Sequence, residues 1–510
     1  MQHLTRAVVE SLHTSAPHRS PPHAGRRLGR SQVTRFDLLG QALASMGPAA
    51  VTVSVVSTST RSGSPASFVI GFIVAVMITV GVALCLGALT SRIAASGSIY
   101  SYAFEAFGRR AALTAGAALL ISYALVAIST TYKSGQSLAV MGDSIDFKDY
   151  DRSTGLILSA CVGLCIIATL IIGVRRAFRV LIAAEVVALS GIVGMLLYSA
   201  FHDIGPIDVA MVAPTMQSAG SDFIGILLAA VFFGIRAISG YETVAFFGAE
   251  AERPLTSTTW AIRMSLCITL PLYILAAILG ATGQADLVFV AYANPSDPAV
   301  PRALGTLMAM CLSITWAAIA LGVLNAASRL IHAMSLDGNL PSRGAAVSRR
   351  FRTPFVAIIA VTTVVFSTGL ITNTLDTSRS GLSGNEILLA QMTKIVIAVI
   401  TVVCAMRVLR RIHELSVIVR VCGTFALVSL AIASIWYAIE ASSAERLSAF
   451  LPSITIASVV AVLVSLLAGK PSAAENVSTS STCRADLSDV LPTTMNLAQI
   501  QSDSPHREPK

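Results

Sequence analysis

The sequence predicts an all-α polytopic membrane protein of twelve transmembrane helices, and three observations predict it. Of its 510 residues, 54% are hydrophobic and 12% charged, with a mean hydropathy of +0.74. A soluble domain carries about 25% charged residues. The apolar residues come in blocks about 20 long, the length that spans a bilayer core. Those blocks are continuously apolar instead of alternating, which makes them helices and excludes barrel strands. The third observation is the sidedness of the basic residues, taken up below.

Residues 1–35 are rich in Arg, His, Ser and Pro, with Glu10 the only acid. The cluster Pro17, Pro21 and Pro22 argues against the long amphipathic helix of a transit peptide, so a disordered cytoplasmic tail is expected. Twelve spans follow. The first five run over about 36–59, 66–89, 111–135, 153–173 and 178–201. The next seven run over about 222–249, 260–283, 303–332, 354–373, 386–407, 417–439 and 450–469. Residues 470–510 are Ser/Thr-rich and are also expected to be a disordered cytoplasmic tail.

The net charge of +9 sits mostly in short connections between apolar blocks, which is a topology signal and not a nucleic-acid footprint. Of the 36 Lys and Arg residues, 27 fall in the tails, connections and span ends of one side and 7 in those of the other. Arg236 and Lys394 remain inside spans. The basic side is read as cytoplasmic, with both termini inside, and an even number of spans agrees. Cysteine points to packing thiols: seven of the eight lie in or at the ends of apolar blocks, and Cys483 lies beyond them. Cys161 and Cys165 are one turn apart, but no His or carboxylate accompanies them, so no metal is expected. No cofactor motif is present.

Two spans carry a break near mid-membrane. In the first, Gly47-Pro48 lies 11 residues past Phe36, roughly 16 Å into a ~30 Å core. Pro48 removes a backbone donor and disfavours helix at Gly47. In the sixth, the interruption is Gly234-Ile-Arg-Ala-Ile-Ser-Gly240, with Arg236 14 residues past Asp222, roughly 21 Å along a helix. The two spans enter from opposite faces, five helices apart, as an inverted-repeat transporter requires. A broken helix in lipid exposes N–H and C=O groups and is tolerated only in protein or beside a polar cavity. Half-helix N-termini suit a carboxylate, and free carbonyls suit an ammonium, so a zwitterionic amino acid satisfies both. A simple kink is the alternative for either break alone.

Three stretches resemble the amino acid–polyamine–organocation permeases. Ser96-Gly-Ser-Ile-Tyr-Ser-Tyr-Ala-Phe-Glu-Ala-Phe-Gly108 is similar to the family's Gly-Gly-x-Tyr-x-Tyr…Phe-Gly segment before the third helix. Gly240-Tyr-Glu-Thr-Val-Ala-Phe-Phe-Gly-Ala-Glu-Ala-Glu-Arg-Pro254 resembles its Gly-Phe-Glu…Ala-Glu-Glu-x-x-x-Pro signature. Asn325-Ala-Ala-Ser-Arg-Leu-Ile-His-Ala-Met-Ser-Leu-Asp-Gly-Asn-Leu-Pro341 resembles the run that ends the eighth helix, and Arg352-Thr-Pro354 follows.

The resemblance covers about residues 36–469. It implies a LeuT-like fold: one five-helix repeat over 36–201, its inverted counterpart over 222–407, and two further helices over 417–469. It also implies a secondary transporter of amino acids in the cell membrane, working by alternating access with proton symport or exchange. The substrate site would lie between spans 1, 3, 6 and 8. Carried onto matching positions, its contacts fall at Ser45, Met46, Gly47 and Ala49, and at Arg236, Ala237, Ile238 and Ser239 beside Gly240. The sequence departs from the family at Arg236, usually apolar or aromatic, and in having no lysine within 178–201.

A charge near the bilayer centre is expensive and marks a partner, a cavity or a substrate. Arg236 is read as a site residue that selects a substrate with an extra anionic group, or as a member of a structural pair. Glu185 and Lys394 occupy equivalent depths on the fifth and tenth spans and are the candidate coupling residues. Tyr123, Phe232, Phe233 and Trp316 are candidate gates, with ordinary packing the alternative; Gln391 is a lesser site candidate. Glu242, Glu250 and Glu252 are read as organising the end of the sixth span.

A channel lacks its filter motif, and an enzyme lacks a catalytic constellation. A non-transporting nutrient sensor and a transporter of other small amines or polyamines stay open as alternatives. Arg236 argues against polyamines by like charge. The partners implied are a small-molecule substrate and the bilayer, with no nucleic acid; the oligomeric state is open.

Overall fold

The structure, a computed structural model, describes residues 33–95, 97–143, 152–202, 221–293, 300–348, 351–375, 384–413, 415–440 and 482–483. The first span is two helices in line, α1 (Arg35–Met46) and α2 (Pro48–Thr60). Next come α3 (Pro65–Thr90), the short α4 (Ile99–Phe107), α5 (Arg109–Asp143), α6 (Arg152–Ile172) and α7 (Val174–His202). The sixth span is α8 (Ser221–Ala237) followed by a 3₁₀ segment, Tyr241–Glu250. Beyond it lie α9 (Pro254–Ala281), α10 (Asp286–Ala293), α11 (Arg302–Leu336), α12 (Phe355–Leu375), α13 (Gly384–Arg411) and α14 (Val417–Glu440). The two-residue strands Ala94–Ala95 and Thr482–Cys483 pair antiparallel.

Among the described residues, ten helical stretches are long and apolar enough to cross a membrane, and Phe355–Ile371 is a shorter apolar helix. The chain is therefore an all-helical, multi-pass membrane protein. The expected twelfth span at 450–469, residues 1–32 and most of 470–510 lie outside the described residues.

Capping sets where the first helix starts. Thr34 Oγ1 accepts from the Asp37 backbone N–H at 3.2 Å, and Asp37 Oδ2 accepts from the Thr34 N–H at 3.0 Å. This reciprocal box satisfies two orphan donors at the start of α1. Just before it, Val33 bridges to the end of the sixth span. Its N–H donates to Glu250 O at 3.1 Å, and Glu252 N–H donates to Val33 O at 2.9 Å.

The breadth of burial sorts the helices. α1, α2 and α11 are buried along most of their length, whereas α6 and α14 expose apolar side chains such as Leu164, Ile157, Val417 and Ile418. In a bilayer such faces meet lipid at no hydrophobic cost. α11 packs along α5 and also meets α7 and α1; α8 packs on α3. The first broken span thus packs on α11, α7 and α9, and the 3₁₀ half of the sixth span packs on α1, α9 and α11. Cys161, Cys165 and Cys267 are exposed on the outside of this bundle, not packed within it as their apolar blocks suggest. Arg329, counted with the basic residues of one side, is among the largest fully buried side chains.

Candidate functional site

Both expected breaks are present, and they touch. α1 ends at Met46, Gly47 takes left-handed dihedrals (φ 57°, ψ 58°), and Pro48 starts α2. Proline belongs at a first helical position, because its missing N–H would be unpaired there anyway. α2 carries no side-chain cap, so the Ala49 and Ala50 N–H groups at its start have no intrahelical acceptor. In the sixth span, α8 stops at Ala237 and Gly240 turns the chain with φ 120°. Gly240 lies against the first break: a Cβ there would sit 2.6 Å from the Ser45 carbonyl carbon and 2.9 Å from the Met46 nitrogen. No side chain fits at such a distance, so the two backbones meet directly only because residue 240 is glycine.

A buried polar chain runs from this contact toward the end of the bundle where α1 begins. Gln41 Nε2 donates to Ser45 Oγ at 3.0 Å and to Gly322 O at 2.8 Å. Thr243 Oγ1 donates to Ser45 Oγ at 3.0 Å. Asn325 Nδ2 donates to Gln41 Oε1 at 3.1 Å, and Arg329 Nη1 donates to Asn325 Oδ1 at 2.6 Å. Arg329 Nε then meets Glu250 Oε1 at 2.6 Å, in an ion pair whose side chains are each 1% exposed. The guanidinium carbon lies 4.2 Å from the centre of the Phe247 ring. Phe178 packs edge-on against Phe247, and Tyr123 against Phe246. Two of the three family-like stretches and the first broken helix are thus joined, and this end of the site is packed shut.

The third stretch joins just outside. Tyr100 donates its hydroxyl to Asp337 Oδ2 at 2.8 Å and accepts from Asn339 Nδ2 at 2.6 Å. Burial and the adjacent Asp337 carboxylate push the Tyr100 hydroxyl well above its ordinary pKa, so it stays a donor.

The charges within the spans find partners that depth along a helix does not reveal. Lys394 Nζ pairs with Glu242 Oε1 at 3.0 Å, and the other Glu242 oxygen accepts from the Gly240 N–H at 2.7 Å. Glu242 therefore caps the sixth-span turn and neutralises Lys394. Lys394 also lies 5.3 Å from the Tyr123 ring centre. A cavity of about 40 Å³ adjoins the pair, lined by Thr79, Ser239, Tyr241 and Thr401.

Glu185 has a different partner from Lys394. Its Oε1 accepts from Thr315 Oγ1 at 2.7 Å, while its buried Oε2 has no hydrogen-bond partner among the described residues. Thr315 in turn borders the first break, its hydroxyl 3.6 Å from where a Gly47 Cβ would stand.

Arg236 ends α8 and is exposed, with no ion pair among the described residues. It lies within charge range of Tyr292 on α10 and Lys133 on α5. Lys133 Nζ sits 4.7 Å from the Trp316 ring centre. Ala237 and Ser239 are half-buried, Ile238 is buried, and Ser239 Oγ donates to Arg236 O at 2.8 Å. Met46 and Ala49 are buried, and the Met46 carbonyl accepts from Tyr273 at 3.5 Å. Of the candidate gates, Tyr123 and Trp316 face the charged groups just described. Phe233 packs on Phe68 and Phe72 of α3, and Phe232 is buried with its carbonyl taking a 2.8 Å bond from Gln391. Arg236, Ala237 and Ser239 thus keep some exposure at the sixth break, whereas the Gln41–Asn325–Arg329–Glu250 end is buried.

Comparison with known proteins gives the chain a family and relatives. A family model described as amino acid permease matches residues 36–389. The methylthioribose transporter of Bacillus subtilis is 27% identical over 319 residues, which span 59% of this chain and 66%, just under two thirds, of that relative. An uncharacterized transporter of Mycobacterium tuberculosis is 26% identical over 372 residues, 68% of this chain and 74% of the relative. The vacuolar cationic amino acid transporter 4 of Arabidopsis thaliana is 24% identical over 345 residues, 60% of this chain and 53% of the relative.

Proposed function

We propose, because this chain belongs to the amino acid permease family, that it is a secondary active transporter carrying an amino acid across the cell membrane by alternating access. Membership makes it a membrane transporter with a small-molecule substrate, and not an enzyme. Amino acid as substrate, twelve spans in two inverted five-helix repeats, the cell membrane and cytoplasmic termini are our reading. The relatives' names include both a methylthioribose and a cationic amino acid transporter, so the site must decide.

The observation that carries the reading is the contact of the two breaks at Gly240 and Ser45. Beside it, the uncapped start of α2 presents N–H groups that suit a carboxylate. The last carbonyls of α1 and α8 suit an ammonium group. The sixth-span turn contributes less to an anion, since Glu242 already occupies the Gly240 N–H. Substrate would enter on the Arg236 side. Release on the other side would require the Arg329–Glu250 pair and the Gln41–Asn325 and Gln41–Gly322 bonds to part.

Glu185 is the coupling group in this reading. Its unpartnered oxygen borders the first break through Thr315 and can hold a proton for one half of the cycle. Lys394, already neutralised by Glu242, holds the sixth-span turn in shape.

Uptake by proteoliposomes of the purified protein tests this. Saturable amino acid uptake, driven by an inward proton gradient and stimulated by unlabelled substrate inside, is expected. Glu185→Gln should abolish gradient-driven accumulation but retain exchange. Binding without any flux would mark a sensor and overturn the transporter reading.

A further inference from the structure

We infer that Lys133 and Arg236 together form a dicationic mouth to the site, which selects a substrate bearing a second anionic group: an acidic amino acid. This rests on the amino acid reading above and narrows it.

The geometry comes from three helices. α11 carries successive contacts over one short stretch. Ser313 accepts from Ser134 Oγ at 2.8 Å, Thr315 and Ile319 face Gly47, and Trp316 lies under the Lys133 ammonium. Lys133 is therefore held at the level of the first break, one residue before the Ser134 contact on α5. Arg236 approaches from the sixth break, at the end of α8, within range of the Lys133 charge.

Two like charges gathered beside the breaks repel each other. Neither has a carboxylate partner among the described residues, in contrast to the two buried cations Arg329 and Lys394, each paired with a glutamate. Lys133 is held by an aromatic face instead, an interaction that leaves its three N–H donors available. Arg236 sits at a helix C-terminus, whose dipole accepts a cation there without a counter-ion. Both groups thus stand beside the breaks without a counter-ion. An α-carboxylate at the uncapped start of α2 would leave a side-chain carboxylate facing this pair. A neutral amino acid would leave the two cations uncompensated, and a basic one would add a third.

Competition measured on the full-length protein in proteoliposomes decides this, with thermal-shift binding of the same compounds in detergent. The probes are L-glutamate, L-aspartate, L-alanine, L-leucine, L-lysine and succinate. L-glutamate or L-aspartate should bind best. Arg236→Leu and Lys133→Leu should each lower the preference for acidic over neutral amino acids by about tenfold, that is about 1.4 kcal/mol. Arg236→Lys and Lys133→Arg, which keep the charge, should retain the preference and show that packing is not the cause. Equal binding of neutral and acidic amino acids by the wild type, or an unchanged preference in both leucine variants, overturns the inference and leaves amino acid transport standing. Succinate binding as well as glutamate would uphold the dicationic mouth and overturn the amino acid reading. Failure of all six compounds overturns both.

Discussion

The Gly240 backbone rests directly on Ser45, close enough that a Cβ would stand 2.6 Å from the Ser45 carbonyl carbon. The two helix breaks are one structural object. Each exposes polar backbone, and each uses the other to limit that exposure.

Gly240→Ala is therefore expected to be destructive. The new methyl would collide with main chain, which cannot rotate away, and alanine at φ 120° is strained as well. Together these should cost about 2–4 kcal/mol. Gly225→Ala in α8, where nothing lies within 4 Å, should be neutral or stabilising by up to about 1 kcal/mol. Thermal unfolding of detergent-purified protein compares the two; equal melting temperatures would refute the direct contact.

Removing one partner of the Arg329–Glu250 pair leaves a charge buried without compensation. Arg329→Met should destabilise by about 3–5 kcal/mol. The double variant Arg329→Met with Glu250→Gln should recover a large part of this, since no net charge remains inside. Melting curves of the four proteins in a double-mutant cycle give the coupling. Additive losses would show that the pair does not act as a unit.

The asymmetry of access is open to a chemical probe. In a background with the eight cysteines replaced, Arg236→Cys should react with a membrane-impermeant thiol reagent added from the outside. Asn325→Cys, in the packed half, should not react from that side. Labelling of position 325 but not 236 would reverse the assignment of open and closed ends. Addition of substrate should protect position 236.

The breaks were legible because Gly and Pro act on the backbone locally: Gly47-Pro48 and Gly240 each force a turn whatever surrounds them. Ten membrane-length helical stretches among the described residues were legible from block length, the interrupted first and sixth among them. The partners of the buried charges were not. Counting along a helix gives depth, and Glu185 and Lys394 have equivalent depths, but it does not say which helices adjoin. α7 packs on α1 and α11, whereas α13 packs on α3 and α5, so the two residues meet different neighbours. Glu242 reaches Lys394 from the sixth-span turn, a contact set by tertiary packing alone. Arg329 and Lys133 were hidden for another reason. A single cation near the end of a span looks the same in sequence whether it faces water, pairs with a glutamate or stacks on a tryptophan.

The bridge at Val33 joins the residue before the first helix to the residues that close the sixth, by two main-chain hydrogen bonds independent of side-chain identity. The first and sixth spans are thereby fastened at two levels, at mid-depth through Gly240 and at the rim through Val33. Two fastenings on one pair of rods remove the freedom to slide or splay, and leave only a swing of the pair as a whole. A pull on the chain ahead of Val33 would then be transmitted to the Gly240–Ser45 contact, as a handle moves a hinged leaf.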